Sequence, residues 1–301
     1  MTITYYFKHK NQKKLNRLVN DPLFDRIITY FNEHQTEKII LRALKQTFQE
    51  KNFEKFLEEM VDFQLIRREE RGYSLTLSFF DAAISDKDKQ FAEDFTQDMT
   101  NQEVDPSYLY GEVLWNRLFE SENDYFFGVI DSSDDTQPFF EKHQTGNEQL
   151  QFVSIHPKDQ QPLDFASYFS VMEATSGEGL PEVYQELQEL IGDVDSAYFA
   201  AQTYRIVRAV LKNRRIADKR NIFLEAFVMT NGLIKTEKGW QLKAPILQNE
   251  TITKELDISP YITHYNQVTD TNQRVFEKMQ FYSCCMAIIL NGKEAFSYLI
   301  I

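Results

Sequence analysis

Cysteine is nearly absent. The 301 residues hold two, Cys284 and Cys285, and because they are adjacent neither a disulfide framework nor a CxxC pair is available. Ten glycines and eight prolines are too few for a disordered or low-complexity chain. The longest uncharged apolar run, Cys284–Leu290, falls far short of the ~18 residues that a membrane span needs. The opening MTITYYFKHKNQKK has no apolar core followed by a small-residue cleavage site, so no secretory signal is read there. A reducing cytoplasm fits best, with no membrane partner. The histidines (His9, His34, His143, His156, His264) are scattered without HxH or HExxH spacing. GxSxG, P-loop and complete dinucleotide motifs are missing as well. No catalytic residue, metal ligand or cofactor is assigned, and the chain reads more as a non-enzyme than an enzyme.

Apolar material is ample: 42% hydrophobic and 14% aromatic residues suffice for two or three cored domains. The net charge of -13 is uneven. Residues 1–80 hold 14 Lys/Arg against 11 Asp/Glu, and the remaining residues hold 19 against 35. An acidic body repels phosphate backbones at long range, so nucleic-acid contact is disfavoured unless a local basic patch exists. The acidic surface is read as serving solubility.

One pattern occurs twice. Phe56–Leu75 reads FLEEMVDFQLIRREERGYSL and Phe223–Leu242 reads FLEAFVMTNGLIKTEKGWQL, with seven of twenty positions identical. Each is an apolar-striped helix, a charged loop and a Gly-aromatic-x-Leu return strand, the form of the last helix and wing of a winged helix. Upstream, Ile39–Lys45 resembles Ile206–Lys212.

Around the first copy the elements are explicit. Asp21-Pro22 opens a helix striped by Leu23, Ile27, Ile28 and Phe31. Thr36 caps a second, striped by Ile39, Ile40, Ala43, Leu44 and Phe48, and Asn52 opens a third with Phe53, Phe56, Leu57, Met60 and Val61. After Leu65-Ile66 the period turns alternating, with Tyr73, Leu75 and Leu77 on one face. The expected organisation is a winged-helix-like domain over 1–80, an acidic linker or helix over 81–106, and a small α+β region over 107–180. A helical region over 181–301 follows, with a hairpin at 233–243 that would belong to a second winged-helix-like unit. The fold class is α+β, helix-rich. Helices are expected at 107–119, 181–191, 195–213, 220–230 and 272–290, and strands at 125–130, 151–155 and 295–301.

The first module is a poor reader of DNA. Its third helix exposes Glu54, Glu58, Glu59 and Asp62 against Lys55, and the wing cations Arg67, Arg68 and Arg71 are offset by Glu69 and Glu70. The second is richer. Arg205, Arg208, Lys212 and Arg215 line one helix face, Arg214, Lys219 and Arg220 lie nearby, and Asp218 is the sole acid among them. These cations either meet phosphates or, the favoured reading, pair with the chain's own acids. Elsewhere the signals are weak. The run Asp131–Asp135 lacks the glycine and glutamate of a calcium loop, and Gly177-Glu-Gly179 reads as an ordinary turn rather than an anion cradle. Cys284-Cys285 and the aromatics near 125–127 and 165–169 read as core.

Leu15–Phe80 resembles an uncharacterised domain family of Gram-positive bacteria without assigned function. The resemblance lies in Pro22-Leu23-Phe24, Leu41–Lys45, Leu65-Ile66-Arg67 and Arg71–Leu75. It implies a fold and a bacterial cytoplasmic setting, and it supplies no site residues. The leading expectation is a binding or scaffold protein whose winged-helix surfaces contact protein or a second copy of the chain. The alternatives are a DNA-binding regulator using 205–220 and an enzyme with its site in 125–180.

Overall fold

β-Branched and aromatic residues suit a pleated surface, and the segment TITYYFK forms a strand, β1 (Thr2–Lys8), that the opening residues did not announce. The computed structural model describes residues 2–34, 37–131, 138–175, 179–217, 219–252 and 255–301. About half of the chain is helical (51%) and 19% is strand, in several small sheets, which is the α+β class. It divides into two compact units, each assembled from separated pieces: 1–84 with 121–136 and 264–277, and 85–120 with 137–263 and 278–301.

In the first unit, α1 (Gln12–Val19) leads to α2 (Pro22–Glu33), where the Asp21 side chain accepts the Leu23 amide at 2.9 Å. Leu23, Phe24, Ile27, Ile28 and Phe31 bury the face read from the sequence. The next helix, α3, covers only Leu41–Thr47. Its expected start at Thr36 lies outside the described residues, and Ile39 is extended instead of helical. The Ile39 carbonyl accepts the Tyr73 amide at 2.8 Å, so the stub pairs with a distant strand and local periodicity is overridden. Helix α4 (Phe53–Asp62) buries Phe53, Leu57 and Met60, and β2 (Ile66–Glu69) and β3 (Gly72–Leu75) form an antiparallel hairpin. A second sheet has the order β1-β5-β4, with β4 at Ser78–Asp81 and β5 at Tyr125–Asp131. Here β1 is antiparallel to β5 and β4 parallel to it. Gly128 is required in β5, since a Cβ there would lie 2.7 Å from the Phe79 ring. Arg274 holds Glu122 through two bonds of 2.9 Å, Nε to Oε1 and Nη2 to Oε2.

The second unit opens with α5 (Asp86–Asn101), capped by Ser85 and burying Ala92, Phe95, Thr96 and Met99. The acidic stretch is thus a helix with one dry face. A π-helix, Ser107–Leu114, passes into α6 (Trp115–Phe119). Strands β6 (Phe140–Gly146) and β7 (Gln151–Pro157) precede α7 (Phe165–Thr175), α8 (Gln185–Ile191), α9 (Ser196–Leu211) and α10 (Ile222–Met229). A hairpin of β8 (Leu233–Thr236) and β9 (Gly239–Leu242) follows. The chain closes with β10 (Ile246–Leu247), α11 (Asn249–Ile252), α12 (Ser259–Ile262), α13 (Thr271–Leu290) and β11 (Phe296–Ile300). The sheet order is β10-β11-β7-β6, with β10 parallel to β11 and the other pairs antiparallel. Strand β7 is buried from Phe152 onward, and α7 packs on β6 and β7. Phe165, Phe169, Phe199 and Phe227 join that core, each buried ring contributing roughly 1.5–3 kcal/mol. Cys284 and Cys285 are buried free thiols; burial pushes Cys284 up to about 11 and Cys285 well above its ordinary value. Phe127, Phe165 and Phe169 are core residues as well.

Candidate functional site

The repeated pattern is a repeated backbone. Helix α4 ends with Gln64 in the left-handed region (φ 57°), Gln64 N–H bonding Val61 O and Leu65 N–H bonding Met60 O, both at 2.9 Å. Helix α10 ends with Asn231 at φ 55°, Asn231 N–H bonding Val228 O and Gly232 N–H bonding Phe227 O, both at 3.0 Å. This is one helix-terminating motif in two places. The hairpins continue in step. Ile66, Arg67, Arg68 and Glu69 face Leu75, Ser74, Tyr73 and Gly72, while Leu233, Ile234, Lys235 and Thr236 face Leu242, Gln241, Trp240 and Gly239. Each hairpin closes on the residue before it, Thr76 N–H to Leu65 O and Lys243 N–H to Gly232 O. A cation covers an aromatic ring at the same place in both, Arg68 over Tyr73 and Lys235 over Trp240, each at 5.7 Å. Every one of these correspondences has the same offset of 167 residues. The upstream likeness of 39–45 to 206–212 does not extend the match: Ile39 is a strand stub, whereas Ile206 is buried inside α9.

Side chains separate the two surfaces. On α4 the acids are met locally, Glu59 by Lys14 and Arg17 at 3.9 and 3.8 Å and Glu54 by Lys45 at 2.6 Å. In the wing, Arg67 pairs with Glu69 at 3.2 Å and Arg71 sits in the turn with φ 63°. The second surface is different. Arg205, Arg208, Lys212, Arg214, Arg215, Lys219 and Arg220 are all exposed. Arg220 lies 3.5 Å from Glu225, and no other described carboxylate stands within ion-pair distance of the remaining six. Asp218 lies outside the described residues. Self-neutralisation, the favoured reading of this cluster, is therefore not what the described residues show. Arg205 donates to Gln202 at 3.4 Å, and the Arg208 guanidinium sits 5.6 Å over Tyr204. Exposed Tyr198 and Leu211 flank the row on α9. Helix α10, by contrast, has Glu225 as its one charged residue and exposes Val228.

Within 125–180 the structure gathers groups that the sequence left scattered. His143 on β6 shares a 2.8 Å bond with Ser170 Oγ through Nδ1, and its Nε2 lies 3.5 Å from Glu141. His156 stacks on His143 at 5.0 Å and bonds the Pro157 carbonyl at 2.8 Å, its Nε2 buried without a partner. Burial holds His156 below its ordinary value. Burial alone would raise Glu141, but the His143 bond and the Lys158 charge outweigh it and hold it low. This is a serine–histidine–carboxylate chain, yet Ser170 lies inside α7, where backbone amides are spent on helical bonds and none is free to stabilise an oxyanion. The strand before the acidic run ends at Asp131, while Ser132, Ser133, Asp134 and Asp135 lie outside the described residues, as does Gly177. Among the described residues no group of three His, Cys, Asp or Glu is placed to hold a metal ion. No helix among them is long and apolar enough to cross a membrane.

An α+β chain with a duplicated helix–hairpin surface is the class that the geometry defines. Residues 4–107 match the model of a family described as a domain of unknown function (DUF1803), a wider span than the 15–80 of the sequence resemblance. The match covers β1 through the start of the π-helix and leaves out β5, the partner of β1. No curated protein and no solved structure matches the chain.

Proposed function

We propose that this chain is a non-enzymatic binding protein of the bacterial cytoplasm whose two helix–hairpin modules are winged-helix-like contact surfaces. The observation that carries the reading is the second occurrence of one hydrogen-bonded frame with a different exterior. The Ile39–Tyr73 bridge adds to it by giving the first hairpin the short third strand of a winged-helix wing. The first module, its acidic helix partly neutralised by the chain's own cations, suits a protein partner or a second copy of the chain. Reversing Arg67, Arg68 and Arg71 together tests this by sedimentation and by crosslinking. A lost association or crosslink supports the wing as contact surface, and unchanged behaviour in both removes it.

A second reading is favoured by the unpaired cations: the second module binds nucleic acid through its phosphates. Arg205, Arg208, Lys212 and Arg215 recur every three to four residues, and arginine is suited to bidentate phosphate contact. The nearly uncharged α10 presents nothing to read base edges, so contact would be to the backbone and insensitive to sequence. Fluorescence anisotropy of a labelled random duplex checks this at low and physiological salt. Affinity falling steeply with salt, and lost in Arg208→Glu with Arg215→Glu, supports the reading. Absent or salt-insensitive binding ends it.

A further inference from the structure

Alternation along β7 turns Phe152, Ser154 and His156 to one face of the sheet, the face that meets α7. That layer changes character along its length. At one end it is dry, with Phe152 4.9 Å from Phe165 and Phe165 4.7 Å from Phe199. In the middle Asp164 accepts Ser154 Oγ at 2.5 Å and Ser297 Oγ at 3.1 Å, while its other oxygen caps α7 through the Ser167 amide at 2.9 Å. At the far end stand the stacked rings of His143 and His156, with Glu141 and Lys158. The opposite face holds its charge in a closed set. There Tyr298 and Lys142 donate to the same Glu112 oxygen, Lys142 also to the Gly111 carbonyl, and a Cβ on Gly111 would lie 2.0 Å from the Tyr298 hydroxyl.

The two histidines differ in what a proton would meet. On His143 it finds acceptors at both nitrogens, Ser170 Oγ at Nδ1 and Glu141 at Nε2. On His156, Nδ1 already donates to the Pro157 carbonyl, which fixes the neutral tautomer and leaves Nε2 to take the proton. That nitrogen is buried without a partner on a residue only 4% exposed, and an N–H made there has no acceptor. Among the described residues the titratable groups facing it are Glu141 and His143 from β6 and Asp164 from the turn before α7. Lys158, just past β7, pairs with Glu141, and α7 brings the uncharged Ser170. We propose that the His143–His156 stack is a proton-sensitive latch: protonation of His156 at Nε2 drives its ring out of the layer between sheet and helix and releases α7. Burial holds His156 below its ordinary value, helped by the His143 charge and opposed by the Pro157 bond, Asp164 and Glu141. A base whose folded value lies below its unfolded one, about 6.5, costs the closed state nothing above that pH and favours the open state increasingly below it. Because Phe165 and Phe169 of α7 also pack on Phe199 of α9, the release reaches the helix that carries the cation row.

The test is amide hydrogen exchange of the full chain from about pH 7.5 to about pH 5.5, corrected for intrinsic rates, together with imidazole NMR. An opening that takes up one proton should lower the protection of α7 about tenfold per pH unit below about 6.5, with no such slope in α5. His156→Asn keeps a donor for the Pro157 carbonyl and has nothing to protonate, so its α7 slope should vanish whatever its overall stability. Should that variant fail to fold, the wild-type imidazole decides: His156 is expected to stay neutral for as long as α7 stays protected. A slope that survives His156→Asn, pH-independent protection in the wild type, or a His156 ring that takes its proton with α7 still protected would each overturn the proposal. None of these readouts involves duplex or partner binding, so the latch and the two surface readings fail separately.

Discussion

The segments 41–76 and 208–243 reach the same hairpin by the same hydrogen bonds, and share little on the outside. The first holds seven Lys/Arg and seven Asp/Glu, the second nine and three. Over equal lengths one is neutral and the other carries +6, on a chain whose total is -13. The inside has diverged too, but in a compensated way. Met60 beneath Leu65 in the first corresponds to Phe227 beneath Gly232 in the second, and both assemblies are buried. A larger ring on one side is matched by a missing side chain on the other. The frame is set by backbone capping and strand register, the core by total volume, and neither constrains surface charge.

The largest difference expected between the units is alkaline. In the second, burial raises Tyr110 and Tyr168 to about 12, and Tyr184, Tyr282 and Tyr298 are also held above their ordinary value. In the first, Tyr5 is so held, by burial and Asp25. A phenol whose folded pKa lies above its unfolded value stabilises the fold fully below about pH 10 and loses that contribution as pH climbs toward the folded value. The second unit should therefore unfold first in alkali, with a tyrosinate absorbance step coinciding with loss of near-ultraviolet dichroism. A smooth titration complete near pH 10 with dichroism intact would contradict the burial assigned to these rings.

Next in size is the core exchange. A Cβ on Gly232 would lie 2.2 Å from the Phe227 ring, so Gly232→Leu, which installs the residue of the first module, should cost about 3 kcal/mol in denaturant unfolding. Adding Phe227→Met should recover most of that loss. Additive costs would mean that the two sites do not compensate each other, and the parallel between the modules would then stop at the backbone.

Smaller again is the charge contrast. Arg208→Glu with Arg215→Glu should weaken duplex binding about 30-fold, roughly 2 kcal/mol, and flatten the salt dependence by about two phosphate contacts. Arg67→Glu with Arg71→Glu in the first module should leave it unchanged. Equal losses from both pairs would show that net charge, rather than the α9 row, governs binding.

Much of this frame was legible in sequence because it is local. Asp21-Pro22 announced α2, and Asp195 just before α9 caps it by accepting the Ala197 and Tyr198 amides at 3.0 Å. Phe56–Leu75 and Phe223–Leu242 showed their likeness at seven positions. What escaped was non-local. β1 becomes a strand by pairing with residues 125–131, and Ile39 leaves its helix for Tyr73, so neither can be read from a window of neighbours. Strand β6 is polar (FEKHQTG) and helix α7 lacks a clean apolar stripe, so their periods gave no signal. The Glu112–Lys142–Tyr298 cluster joins residues up to 186 positions apart, and its one sequence mark, a glycine inside an apolar helix, has meaning only once Tyr298 is seen against it.

The smallest contrast lies at the hairpin tips. In the first, Glu70 and Arg71 both have positive φ, 47° and 63°, the pattern of a type I′ turn without the glycine that such turns prefer. In the second, Glu237 and Lys238 are not in that region, and the positive φ falls on Gly239, at 121°, where no side chain resists it. Left-handed backbone costs a non-glycine residue roughly 1–2 kcal/mol, partly offset by the extra freedom that glycine gives the unfolded chain. Arg71→Gly should thus stabilise the protein by about 0.5–1 kcal/mol, while Lys238→Gly, made where φ is ordinary, should destabilise it slightly. Because Arg71 is also one of the wing cations, a gain in stability together with retained partner binding would assign it to the turn alone. A gain with lost binding would mean that the strained tip is kept for contact.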